Sequence, residues 1–149
     1  MALEKGYWSL VDPIWEVVKI YDGPEAFLAT FGKVQRECGL LYAAHFCQSE
    51  VCNGGFDQFF FNSTGVLAPE ALEGFAVIGQ PQIQSLLSQA MSILGSPYVR
   101  EREARQYALE RLPADSFEEL NQKFFALIET EAGGFEVAAD IDASRVVSS

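Results

Sequence analysis

Apolar positions recur along this chain at helical spacing, and no segment shows the period of two with β-branched enrichment that a strand requires. The clearest run is Ile83, Leu86, Leu87, Ala90, Met91 and Leu94, which keeps to i, i+3, i+4 after Pro81 and meets Gly95 at the expected C′ position. Pro69 opens another helix, with Leu72, Phe75 and Ala76 on one face and Gly79 at its end. Ser96-Pro97 starts a helix reaching Leu112, with Tyr98, Ala104, Ala108, Leu109 and Leu112 inward; Glu101 and Arg105 fall in the same sector and are expected to form a partly buried ion pair. Ser116-Phe117-Glu118-Glu119 reads as a capping box before the stripe Phe117, Leu120, Phe124, Leu127 and Ile128, which ends at Gly133-Gly134. Near the start, Asp12-Pro13 predicts a short helix with Ile14, Trp15, Val17, Val18 and Tyr21 as its apolar face, and Asp22-Gly23-Pro24-Glu25 predicts a second that stops at Gly32. The widest stripe runs from Val34 to Cys52, where Val34, Cys38, Leu41, His45 and Cys52 are flanked by Leu40, Ala44, Cys47 and Val51; so broad a face implies a central, mostly buried helix. Residues 135–149 thin into Asp, Ala and Ser and are expected to fray. The pattern therefore predicts an all-α fold, a single domain over residues 1–149 with about six to eight helices.

One stretch departs from ordinary amphipathic helix: Glu50-Val51-Cys52-Asn53-Gly54-Gly55-Phe56-Asp57-Gln58-Phe59-Phe60-Phe61-Asn62-Ser63-Thr64-Gly65. Asn53, Gly54 and Gly55 permit a sharp reversal, so one helix should end near Cys52 and a short one should run from Gly55 to Asn62. Its 100° steps put Phe56, Phe59 and Phe60 on one side and Gln58 beside Asn62 on another, with Ser63-Thr64-Gly65 as loop. The turn is expected to pack inside. Glu50 is expected to accept from free backbone N–H groups at the next helix start, and Asn53, Gln58 and Asn62 to bond the turn's own backbone.

This string, with Leu67-Ala68-Pro69-Glu70-Ala71 and Ala76-Val77-Ile78-Gly79 after it, resembles the signature of the bacterial DNA-mimic-protein family, formerly a domain of unknown function. The likeness runs from about Trp15 to about Leu112, and the matching motif positions are Glu50, Asn53, Gly54, Gly55, Phe56, Gln58, Phe60 and Asn62; Phe59 stands where the family pattern has Tyr. The resemblance implies an all-helical fold and an acidic surface that occupies the DNA site of a DNA-binding protein.

Composition adds charge to this picture. The chain has 21 acidic and 10 basic residues for a formal net charge of -11, which argues against direct binding to nucleic acid or an anionic membrane. No Lys or Arg occurs from Glu37 to Val99, and from Pro113 onward eight acids face only Lys123 and Arg145. Such a surface either solubilises the protein or receives a basic partner. With 149 residues, no visible signal peptide, no apolar run near the length of a bilayer span and three cysteines, the chain is expected to be cytoplasmic, folding alone or as a homodimer.

The residue chemistry points away from catalysis. His45 is the only histidine and no cysteine stands i, i+3 or i, i+4 from it, which leaves neither a nucleophilic pair nor a zinc set; no cofactor motif is present. Its simplest role is in the core. The readings that remain are an acidic protein-interaction module that mimics DNA, an immunity or antitoxin-type protein that neutralises a toxin, and an enzyme built around Glu50, Asp57 and Gln58. For the first, Glu118, Glu119, Gln122 and Glu129 point away from the Phe117-Leu120-Phe124-Leu127 stripe with Phe125 at the margin, and Glu118, Glu119 and Glu129 are the expected partner-binding residues.

Overall fold

The computed structural model describes residues 6–148, which form eight α-helices, three short 3-10 segments and no strand. The helices are α1 (Trp8–Val11), α2 (Pro24–Phe31), α3 (Arg36–Phe61), α4 (Ala68–Val77), α5 (Pro81–Leu94), α6 (Arg102–Glu110), α7 (Glu118–Ile128) and α8 (Phe135–Ser148). The fold is all-α, a single domain arranged around α3, which touches α1, α4, α6, α7 and α8. Cys38, Leu40, Leu41, Ala44, Cys47 and Val51 are buried along its first part, as the wide stripe requires, whereas His45 is half-buried and Cys52 is exposed. Helix α4 crosses α3 so closely that a β-carbon on Gly74 would come within 2.5 Å of the Leu40 carbonyl oxygen, which only glycine tolerates.

Several boundaries differ from the sequence pattern. Pro13 lies in a 3-10 turn, Asp12–Ile14, after which turn bonds run only as far as the Val18 N–H, and the Lys19 N–H donates to the Thr30 hydroxyl at 2.9 Å. Ile14 and Val18 are buried, but Trp15, Val17 and Tyr21 of the expected face are exposed. Ala76 also faces solvent, and Ser63-Thr64-Gly65 is no surface loop but part of a buried 3-10 segment, Ser63–Leu67. Gly95 ends α5 with extended backbone rather than a left-handed residue.

No helix starts at Ser96-Pro97. The Tyr98 hydroxyl donates to the Gly65 carbonyl at 2.6 Å, and Arg100 bonds both the Val66 carbonyl and the Glu70 carboxylate, which draws residues 98–100 across the 3-10 segment. Glu101 is instead the N-cap of α6, accepting from the Glu103 N–H at 2.5 Å. It does not pair with Arg105.

The capping box at Ser116 does not form either, since its hydroxyl donates back to the Pro113 carbonyl at 2.7 Å and Phe117 occupies the cap position. Helix α7 stops at Ile128, before the 3-10 turn Glu131–Gly133. The stretch expected to fray forms α8, which buries Phe135, Ala138, Ala139, Asp142 and Ala143; Ser149 lies outside the described residues. Small side chains let this helix approach the core closely despite its weak apolar pattern.

Candidate partner-binding surface

The motif divides α3. Gly54 at φ -148° and Gly55 at φ 77° break the helix between the two expected segments. Gly55 is required twice over, by its left-handed backbone and because a β-carbon would meet the Asn121 side chain at 2.5 Å. Beyond it, Phe56, Phe59 and Phe60 are fully buried, and Phe56 and Phe60 pack with tilted rings against Phe117 of the segment leading into α7. The apolar anchor lies where the 100° steps place it, and a buried Phe59 needs no polar partner. Asn53 and Gly54, however, are exposed, so the turn's tip faces solvent rather than the interior.

Glu50 is the centre of the polar side. Its carboxylate accepts from the Gln58 amide at 2.5 Å, the Asn62 amide at 3.2 Å and the Thr64 hydroxyl at 3.1 Å. These donors are side chains, not the backbone N–H groups expected. The Asn53 amide in turn donates to the side-chain Oε1 of Gln58 at 3.2 Å, not to the turn's backbone as expected. The backbone N–H that opens the second segment, that of Phe56, is taken at 2.8 Å by Asn121 of α7. At the other end Arg105, 2% exposed, donates to the carbonyls of Phe60, Asn62 (2.9 Å) and Arg100 (3.1 Å). Burial pulls its pKa down, yet its guanidinium carries a charge and bonds carbonyls at the end of α3, where the helix leaves acceptors free.

Sequence reasoning missed three of these groups: Thr64, Asn121 and Arg105's true partners. Asn121 alone left a signal, as the one amide set i+4 from Phe117 and i-3 from Phe124 on the inward stripe.

As a catalytic constellation the motif is incomplete. Glu50 and Gln58 both line an open polar cleft with Gln48, Ser49, Cys52 and Asn53, but Asp57 lines a separate groove on the other side of Gln58. Glu50's three bonds tie its carboxylate to its own chain. His45 packs against the rings of Tyr7, Trp8 and Phe46, shares a 2.9 Å hydrogen bond with the Tyr7 hydroxyl, and has its pKa lowered by burial. Burial raises the pKa of Cys38 and raises that of Cys47 more strongly; Cys52 is raised by burial and by the neighbouring Glu129, so none of the three thiols is activated. Among the described residues no group of three or more His, Cys, Asp or Glu is placed to hold a metal ion.

The outward face of α7 differs in kind. Glu118, Glu119, Gln122 and Glu129 are exposed and Phe125 is 43% exposed, while Leu120, Phe124 and Ile128 turn to the core. Of the three carboxylates, Glu119 pairs with Lys123 at 2.9 Å, which lowers its pKa, and those of Glu118 and Glu129 have no hydrogen-bond or ion-pair partner among the described residues. Helical geometry sets Glu118, Gln122, Phe125 and Glu129 in one nearly straight line about 16 Å long. Elsewhere the basic residues are largely engaged: Arg36 with Glu73, Arg100 with Glu70, Arg102 and Arg105 with backbone carbonyls. Much of the excess negative charge is therefore left unpaired at the surface.

Comparison with known families matches residues 33–143 to the family described as DMP19-like protein, that is, DNA mimic protein 19-like. The match begins later than the likeness read from the sequence and continues past Leu112 through α7 and into α8. No curated protein and no solved structure matches the chain. No helix among the described residues is long and apolar enough to cross a membrane.

Proposed function

This chain belongs to the DMP19-like protein family, and from that premise we propose that it is a cytoplasmic, non-catalytic interaction module whose acidic surface occupies the DNA site of a basic, DNA-binding protein. The observation that carries this reading is the α7 face, where Glu118 and Glu129 stand unpaired at the ends of one line with the exposed ring of Phe125 between them. Carboxylates one to three turns apart are separated by roughly 5–16 Å along a helix, a range that spans phosphate separations on a groove edge. An aromatic among them adds apolar contact area at the centre of the face. Long-range attraction would speed encounter with a basic partner, and like charge would exclude nucleic acid itself.

The test begins with capture of the partner from native cells. The complex is expected to weaken steeply with salt and to be displaced by duplex DNA, and the triple variant Glu118→Lys, Glu119→Lys, Glu129→Lys is expected to lose binding while keeping its helical spectrum. Undiminished binding by that variant, or failure of DNA to compete at low salt, overturns the mimicry reading. Capture of a toxin with no DNA site would favour the immunity-type reading in its place.

A further inference from the structure

The core accounts for Phe59 and Phe60, both fully buried, but not for the third phenylalanine of the run: Phe61 is 51% exposed at the end of α3. Its position is not slack. The Phe61 carbonyl accepts from Arg102 at 3.0 Å and from Gln106 at 3.1 Å, two side chains of α6, so the ring is presented from a backbone anchored to that helix. Phe61 and Leu109 form the apolar floor of an open groove between α3 and α6, with Gln58 and Gln106 as its amide walls. Its two charged lining residues are Asp57 and Glu110, both exposed and neither in an ion pair, and the basic side chain of Arg102 stands beside it, bonded to the Phe61 carbonyl. Asp57 stands one helical turn before Phe61, and Glu110 follows Leu109, so a carboxylate adjoins each apolar residue of the floor.

A long side chain with an apolar stem and a cationic head fits that pattern. Its methylenes cover ring and leucine while the head stays wet between carboxylates. The chain already does this once, since the Arg102 guanidinium lies over the Phe61 ring at 5.8 Å. We propose that the groove is a second contact site on this protein, one that receives a lysine or arginine side chain from an exposed basic segment of the partner protein. This rests on the reading above that the partner is basic. It adds a site on the opposite end of the motif from Glu50, where recognition depends on the length of the cationic side chain and not on charge alone.

The experiment is a site-resolved NMR titration of the full chain with two synthetic peptides of equal charge, one of repeated lysine and one of repeated 2,4-diaminobutyric acid, whose stem is shorter. Both are fully charged in mildly acidic buffer. The lysine peptide is expected to shift the amide signals of Phe61, Gln106 and Leu109 and to bind there about fivefold more tightly than its short-stemmed counterpart. The double variant Asp57→Asn, Glu110→Gln should weaken that binding about tenfold, and Phe61→Ser should erase the preference for the longer stem. All three positions are exposed, and preserved spectral dispersion checks that the fold survives. Equal groove shifts with both peptides, groove shifts indifferent to the Asp57/Glu110 variant, or shifts confined to α7 each overturn the proposal. Should the groove fail while duplex DNA still displaces the native partner, this inference falls and the proposed function stands; groove shifts that persist in the α7 triple variant support an independent site.

Discussion

Glu50 and Glu118 carry the same side chain, and the fold sets them in opposite surroundings. Glu50 is half-buried and accepts three hydrogen bonds from residues up to fourteen positions away, so its charge is spent on holding the two halves of α3 and the following 3-10 segment together. Glu118, like Glu129, is exposed, and among the described residues its carboxylate has no hydrogen-bond or ion-pair partner. A carboxylate already saturated by its own fold has little left to offer a partner, whereas an unbonded one keeps its full field. What separates the two carboxylates is therefore the donors around each and not its place in a motif.

That contrast can be broken or sharpened by substitution. The largest effect is expected for the inner cation: Arg105→Met should cost roughly 3 kcal/mol or more, because three carbonyls lose a charged donor in a site closed to water. Glu50→Ala should cost about 2–4 kcal/mol by stranding the Gln58, Asn62 and Thr64 donors. Denaturant midpoints of both variants that match the parent would show that the inner network is dispensable. Asn121→Ala should cost about 1–2 kcal/mol, since the Phe56 N–H then has no acceptor, and Asn53→Ala only a few tenths, since Asn53 is exposed and bonds Gln58 alone. A reversal of that order would restore the exposed turn as the main support of the motif.

Acid should act on the packed N-terminal segment. Burial lowers the His45 pKa, so the unfolded chain binds the proton more readily than the folded one. The neutral ring's contribution is fully present above about pH 6.5 and is lost as pH falls through the lowered folded value. Urea titrations of the parent and of His45→Phe between neutral and mildly acidic pH should therefore diverge, the parent losing stability more steeply. The smallest effect on stability is expected outside: each of Glu118→Lys, Glu119→Lys and Glu129→Lys should stay within about 0.5 kcal/mol of the parent, Glu119 included, because its bond to Lys123 is an exposed pair.

Helix identity was legible from periodicity wherever one face must be buried whatever its partner. The α5 stripe, the two-part α3 with its break at Gly54-Gly55 and the inward Phe117-Leu120-Phe124 row all follow from local spacing and from the steric freedom of glycine. The orientation of Glu118, Glu119 and Glu129 followed for the same reason, as the complement of that row. Tertiary structure decided where elements begin and what the polar groups bind. The Thr30 hydroxyl takes the Lys19 N–H past the short first helical turns, Tyr98 and Arg100 hold the chain extended where Ser96-Pro97 suggests a helix, and Arg105 turns from Glu101, four residues away, to carbonyls more than forty positions distant. Glycine and apolar spacing act over a few residues and can be read from them. A hydrogen-bonding side chain takes whichever partner the packed core brings within about 3 Å, and that choice exists only once the helices have met.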